Sequence, residues 1–276
     1  MSPAKSVRAK RSGAKLPEGT NQVASPTIRV GCAGWRMPTL AEREIGVTHL
    51  HRYARAFSGV EINSSFYHAH RRATYAKWAT SVPPDFAFSV KVPKAVTHLG
   101  RLADVDSLVE DFLEEVGGLG EKLKCCLVQL PPSLARQPPV DEPFFKRLRR
   151  ATDVDIVCEA RNPEWFDART DAMLAAHSIG RVIADPQLDP REIAVKNDPP
   201  VTYVRLHGSP RVYYSEYGRS ALDHWRRFLL ARQEAGHRCW CIFDNTAAGY
   251  AITNATELCK NLRQDELSTS GLGRHD

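Results

Sequence analysis

Eight short apolar runs, separated by stretches long enough for a helix, constrain the fold of this chain more than any other feature. They are Ile28–Ala33, Gly59–Asn63, Phe86–Val92, Cys125–Leu130, Val154–Ala160, Arg181–Ala184, Val201–Leu206 and Cys239–Phe243. Val, Ile, Cys and Phe dominate them, as in parallel strands covered on both faces. The intervals predict helices over Leu40–Phe57, Ala73–Thr80, Val105–Val116, Pro143–Arg150, Ala168–Ser178, Ser220–Ala235 and Tyr250–Leu262. A Pro-rich loop holding Pro131, Pro132, Pro138 and Pro139 precedes the fourth of these. Segment 185–200, rich in Asp and Pro, is expected to carry a short helix or none. Eight such units in 276 residues match an α/β fold of the (β/α)8 TIM-barrel type. A doubly wound sheet is the alternative, but Gly31-Cys32-Ala33-Gly34-Trp35 lacks the G-x-G-x-x-G spacing of a phosphate loop. No long linker interrupts the pattern. One domain over residues 28–264 is expected, flanked by a disordered basic tail (1–27) and a second disordered tail (265–276).

Charge is unevenly placed. The formal net charge is +6. Lys5, Arg8, Lys10, Arg11 and Lys15 face Glu18 alone in the first tail, so most of the excess is a tail property and implies no nucleic-acid domain by itself. The seven cysteines form no CxxC pair, which removes zinc-ribbon and thioredoxin chemistry and leaves buried reduced thiols. No stretch approaches the roughly 18 apolar residues of a membrane helix. The N-terminus has no apolar h-region, so a cytoplasmic protein without a membrane partner is expected.

Strand side chains alternate between faces. In a barrel the outer face lies under helices, so the apolar members of each run point outward and the others inward. Val60 and Ile62 outward put Glu61 and Asn63 inside. The same parity turns inward Lys91, Gln129, Glu159 with Arg161, Arg205 with His207, and Asp244. Asp185 closes the sixth strand by the same logic, and Trp35 with Arg36 lies just beyond the first. Seven of eight strands thus deliver polar groups to their C-terminal ends, where TIM-barrel sites form. Isolated buried charges are costly, so these groups must pair, stay wet or meet a ligand. Space-filling ion pairs inside the barrel are the plain alternative.

The segments around these residues resemble the YecE-like family, catalogued as domain of unknown function 72. They include Val30-Gly31-Cys32-Ala33-Gly34-Trp35, Val60-Glu61-Ile62-Asn63-Ser64-Ser65-Phe66-Tyr67, Phe88-Ser89-Val90-Lys91-Val92-Pro93-Lys94 and Leu127-Val128-Gln129-Leu130-Pro131-Pro132-Ser133. Further on come Glu159-Ala160-Arg161-Asn162-Pro163-Glu164-Trp165-Phe166, Tyr203-Val204-Arg205-Leu206-His207-Gly208 and Phe243-Asp244-Asn245-Thr246. The resemblance implies a TIM-barrel-like fold and brings no established reaction. The basic tail before residue 28 lies outside its pattern.

The residues themselves point to an acid/base enzyme, hydrolase-like, acting on a phosphate- or carboxylate-bearing molecule. Lys91, Arg161 and Arg205 would hold the anion. Glu61 and Glu159 lead as general acid and base, with Asp244 and His207 behind them. Asn63, Tyr67, Gln129, Asn162, Asp185, Asn245, Trp35 and Tyr214 are expected to line the substrate. His98 could bind an anion. Ser64 and Ser65 lack a nucleophile elbow. A divalent metal held by Glu159, Asp185, Asp244 and His207 is the cofactor alternative, although three cations compete with it. A nucleic-acid-binding or metal-dependent nucleic-acid-processing protein is a second reading, from the basic tail and the aromatic loop Arg211–Tyr217. A non-catalytic sensor using the same pocket is a third. Nothing in the sequence sets the oligomeric state.

Overall fold

The barrel is built from eight parallel strands, which the computed structural model gives in the order β1-β8-β7-β6-β5-β4-β3-β2. It describes residues 28–37, 47–188 and 201–271. The strands are β1 Ile28–Cys32, β2 Gly59–Ile62, β3 Ala87–Lys91, β4 Leu123–Gln129, β5 Asp155–Glu159, β6 Ile179–Asp185, β7 Val201–Leu206 and β8 Arg238–Phe243. The helices are α1 His49–Ala54, α2 Ser64–Tyr67, α3 Arg72–Thr80, α4 Asp106–Val116, α5 Pro138–Ala151, α6 Ala168–Ala176, α7 Arg219–Glu234 and α8 Tyr250–Gly271. All eight predicted runs are strands. The predicted tail 1–27, residues 40–46 of the predicted first helix and residues 189–200 of the Asp/Pro-rich segment lie outside the described residues.

Two boundaries depart from expectation. Pro138 and Pro139 open α5 instead of belonging to the preceding loop, because proline lacks an N–H that the first helical turn leaves unpaired anyway. The last helix carries on to Gly271, past the expected domain end at 264 and into the segment expected to be a disordered tail.

Outward side chains such as Val60, Ile62, Val90, Val128, Cys158 and Val204 join the main core under the helices. Inside the cylinder a second cluster, including Cys125, Leu127, Val157, Val182, Tyr203 and Trp240, forms an apolar plug. Polar groups above that plug therefore sit at the C-terminal mouth. All seven cysteines are free thiols. Among the described residues no helix is long and apolar enough to cross a membrane.

The seam between β1 and β2 closes by a different device. A Cβ at Gly31 would lie 2.1 Å from Gly59 O, so only glycine permits this approach. Tyr53 Oη fills the gap, accepting from Cys32 N–H at 2.7 Å and donating to Gly59 O at 3.1 Å. Above it, Gly34 N–H donates to Glu61 O at 2.9 Å. One side chain thus replaces a ladder step next to the strand that carries Glu61. Tyr53→Phe strands a buried N–H and a buried carbonyl, and should cost about 1–3 kcal/mol in denaturant unfolding.

Candidate functional site

Arg205 is the centre of the mouth. It is 1% exposed, and its side chain rises from β7 into a ring of acids. Nε and Nη2 donate to Glu61 Oε2 and Oε1 at 2.9 and 2.7 Å. Nη1 reaches Glu159 Oε2 at 2.5 Å, and Nη2 also reaches Asp244 Oδ2 at 3.1 Å. Arginine suits this place because its rigid fork meets a carboxylate with two parallel bonds. The buried Tyr203 Oη, two residues earlier on the same face, donates to Glu61 Oε2 at 2.9 Å and meets Ser89 Oγ at 2.8 Å.

His207 and Asp244 follow directly after β7 and β8, where the backbone ladder continues. His207 N–H donates to Asp185 O and Asp244 N–H to Leu206 O, both at 2.8 Å. Both imidazole nitrogens face acids: Nδ1 lies 3.0 Å from Asp244 Oδ2 and Nε2 lies 3.2 Å from Glu159 Oε1. Arg161 joins through Nε and Nη2, at 2.9 and 2.7 Å from Glu159 Oε1.

Burial and charge compete throughout this cluster. Burial alone would raise the Glu159 carboxyl, but Arg205, Arg161 and His207 hold it well below its usual range. Asp244 is likewise lowered against burial, by Arg205 and His207. Burial opposes the charge on His207, yet Glu159 and Asp244 raise its pKa, which favours the imidazolium. The ion-pair contacts of Glu61, Glu159 and Asp244 go to Arg205, Arg161 and His207. Lys91 is the cation left out of that pairing. It is 8% exposed at the end of β3 and forms no ion pair among the described residues. Its ammonium instead lies 4.1 Å from the centre of the Phe66 ring. Burial and the nearby Arg205 lower its pKa to about 8, with the three acids opposing.

The structure brings together Glu61, Lys91, Glu159, Arg161, Arg205, His207 and Asp244, as parity requires. Gln129 lies beside Glu159 in the sheet register and is buried. Asn63 opens α2 with its Oδ1 buried and unbonded. His98 borders the same space: burial and then the charges of Lys91, Lys94 and Arg161 lower its pKa. Tyr67 and Tyr214 are exposed on the rim. Ser65 is spent on backbone, donating to Lys91 O at 2.7 Å.

Several expected site residues are elsewhere. On β6 it is Val182 that joins the inner plug, so Asp185 shares the outer face with Ile183. Its Oδ2 accepts from Tyr217 Oη at 2.7 Å, and that hydroxyl receives Gly208 N–H at 2.8 Å. Asp185 therefore braces the turn after His207 from outside. Asn245 donates to Ser215 O and to Asn254 Oδ1, at 3.0 and 2.9 Å, in the layer outside β8. Asn162 caps the turn at Glu164 and ties down Pro132 O, which uses both ends of its amide. Trp35 packs edge-on against Trp78 of α3, with ring centres 5.0 Å apart. Glu61 is in the cluster but is 0% exposed and covered by Arg205 and Tyr203, so it has no face left for substrate. Glu159 is held ionised, which removes it as a proton donor at neutral pH.

A metal fits poorly. Arg205 already lies between the three acids. Among the described residues no group of three His, Cys, Asp or Glu side chains could hold a metal ion.

Three participants escape the sequence reading. Tyr203 and Ser89 share the inward parity of Arg205 and Lys91, and that signal could have found them. Tyr213, rather than Tyr214, stands over the cluster, its ring edge-on to His207 at 5.9 Å between centres.

Comparison with known proteins agrees with this architecture. The family described as Protein of unknown function DUF72 matches residues 29–274. UPF0759 protein YecE of Escherichia coli is 27% identical over 164 residues, which cover 57% of this chain and only 59% of that protein's length. UPF0759 protein YunF of Bacillus subtilis is 24% identical over 278 residues, covering 89% of this chain and 97% of that protein. Among solved structures, a DUF72 family protein of Enterococcus faecalis superposes with a TM-score of 0.71 at 22% identity, over 86% of this chain and 98% of that one. One from Thermotoga maritima gives a TM-score of 0.71 at 24% identity, over 86% and 99%. At such identities these structures show the fold alone. The family match runs from the first strand to beyond the last helix and takes in every residue of the ion cluster, and on it the chain belongs to the DUF72 family.

Proposed function

We propose that this protein is an acid/base enzyme that binds an anionic small molecule, phosphate- or carboxylate-bearing, at the mouth of its barrel. The observation that carries this reading is Lys91, a buried ammonium that forms no ion pair among the described residues, beside three carboxylates that are all paired with other groups. A ligand anion supplies what the protein withholds. Arg161, 22% exposed at its side chain, is the second contact. Glu61 and Glu159 act as positioning residues that fix Arg205, Arg161 and His207. Proton transfer falls to His207, whose partner Asp244 keeps a 14% exposed side chain. An imidazolium between two acids can give a proton to a leaving group and recover it from water, so hydrolysis is the reaction class favoured. The setting is the cytoplasm, where free thiols persist.

Lys91→Met tests the anion site. Inorganic phosphate titrated into the wild-type protein should bind, with affinity falling as pH rises through about 8 and Lys91 loses its proton. The variant should lose that binding. It should also be more stable without ligand, by about 1–3 kcal/mol at neutral pH, because a group with a lowered folded pKa costs stability while it is charged. Weaker binding with greater stability marks a residue kept for a ligand. Unchanged phosphate binding in the variant would remove the reading. His207→Asn tests catalysis in a hydrolysis screen of phosphate and carboxylate esters: turnover should fall about 100-fold or more while phosphate still binds. A protein that binds phosphate and turns over no ester would be a sensor.

A further inference from the structure

Large hydrophobic side chains left exposed are not scattered over this molecule. Among the described residues they are Tyr67 after β2, Leu99 and Leu108 after β3, Leu188 after β6, and Val212, Tyr213 and Tyr214 after β7. Every one lies in a strand-to-helix connection or the first turn of the following helix, which is the mouth side of the barrel. An apolar rim around a polar floor calls for a ligand with an apolar part as well as an anionic one.

The rim is aromatic where it meets the anion site. Tyr213 has a φ of 69°, a left-handed conformation that a bulky side chain adopts only against strain. Its N–H is tied to His207 O at 2.5 Å. That bond holds the ring over His207. Next to it the Arg211 guanidinium lies 4.1 Å from the centre of the Tyr214 ring. Across the mouth Phe66 touches Lys91 and stands edge-on to both Tyr67 and His98, each at 4.9 Å. Rings and guanidinium planes beside a surplus ammonium suit a planar, electron-rich group attached to a phosphate.

Resting on the anion site proposed above, the geometry points to a nucleoside phosphate as the ligand class: phosphate on Lys91 and Arg161, base stacked on the tyrosines of the β7 connection. Two sources share that chemistry, a free nucleotide and the phosphorylated end of a strand.

Calorimetric titration of the full chain with AMP, ribose 5-phosphate and inorganic phosphate tests it. AMP should bind about fivefold or more tightly than ribose 5-phosphate, because that is the low end of what one stacked base contributes. Tyr214→Ala should reduce that advantage and leave inorganic phosphate binding unchanged. A short 5′-phosphorylated oligonucleotide that outbinds AMP assigns the strand end, and equal affinity assigns the free nucleotide. Ribose 5-phosphate binding as tightly as AMP, with phosphate still bound, overturns the nucleoside assignment and leaves the anion site standing. Failure of all three ligands to bind takes both down.

Discussion

Arg205→Met should be the most damaging single substitution in this protein. Breaking a buried ion pair by removing one partner costs about 3–5 kcal/mol, and Arg205 has three carboxylate partners, of which Glu61 and Glu159 are almost wholly buried. Methionine keeps the packing volume and strands the acids with one another. The loss should reach about 5 kcal/mol or more, comparable with the whole stability of many domains. Its pH dependence identifies the cause. In the wild-type protein Glu159 and Asp244 have lowered pKa values, so their stabilisation is present above the ordinary carboxylate range and disappears as pH falls through the lowered values. Without the guanidinium, burial dominates and pushes the acids upward, so the variant should gain stability as the solution is acidified from neutral. Unfolding by denaturant at several pH values checks both the size and the sign. A variant that loses less than about 1 kcal/mol would show that the acids are solvated and that Arg205 is no hub.

Glu61→Gln should come close behind. From sequence Glu61 leads the acid/base candidates, and on that reading the amide would depress turnover and spare the fold. The structure gives the opposite expectation. Both carboxylate oxygens accept from Arg205, and Tyr203 adds a third donor. An amide presents its own N–H groups to a donor, and it removes one of the negative charges that the buried Arg205 meets. Loss of about 3–5 kcal/mol is expected. Arg205→Met combined with Glu61→Gln should cost less than the two singles together, since each removes part of what the other leaves unpaired. Additive losses measured by the same unfolding assay would mean that the two side chains do not act as one unit.

Much of this was readable in the sequence, and the reason is the period of two. Outward positions must be apolar to meet the helices, so Val60 and Ile62 announce Glu61, and Cys158 announces Glu159. The same rule fails on β6 for a visible reason. Arg181 and Asp185 are polar groups on the outer face, paired there with Asp171 of α6 and with Tyr217. Parity cannot distinguish such locally paired outward charges from inward ones. Tyr203 and Ser89 carry the inward signal, but tyrosine and serine are common strand residues and draw no notice beside charges. The β7 connection was beyond reach for another reason. Which of Tyr213 and Tyr214 turns over His207 depends on a left-handed backbone at a tyrosine, and local preference argues against that conformation. Roles are harder still than positions. Glu61 and Lys91 both read as charges at strand ends, and only the pairing pattern shows that one is fully used and the other is left over.

That surplus ammonium is the claim on which the functional account stands, and side-chain NMR of lysine measures it directly. The Lys91 signal in the ligand-free protein should titrate near 8, below the roughly 10.4 of an ordinary lysine. Inorganic phosphate should move that value upward as the anion takes the place of the missing carboxylate. A Lys91 signal that titrates like the surface lysines and does not respond to phosphate would contradict the account.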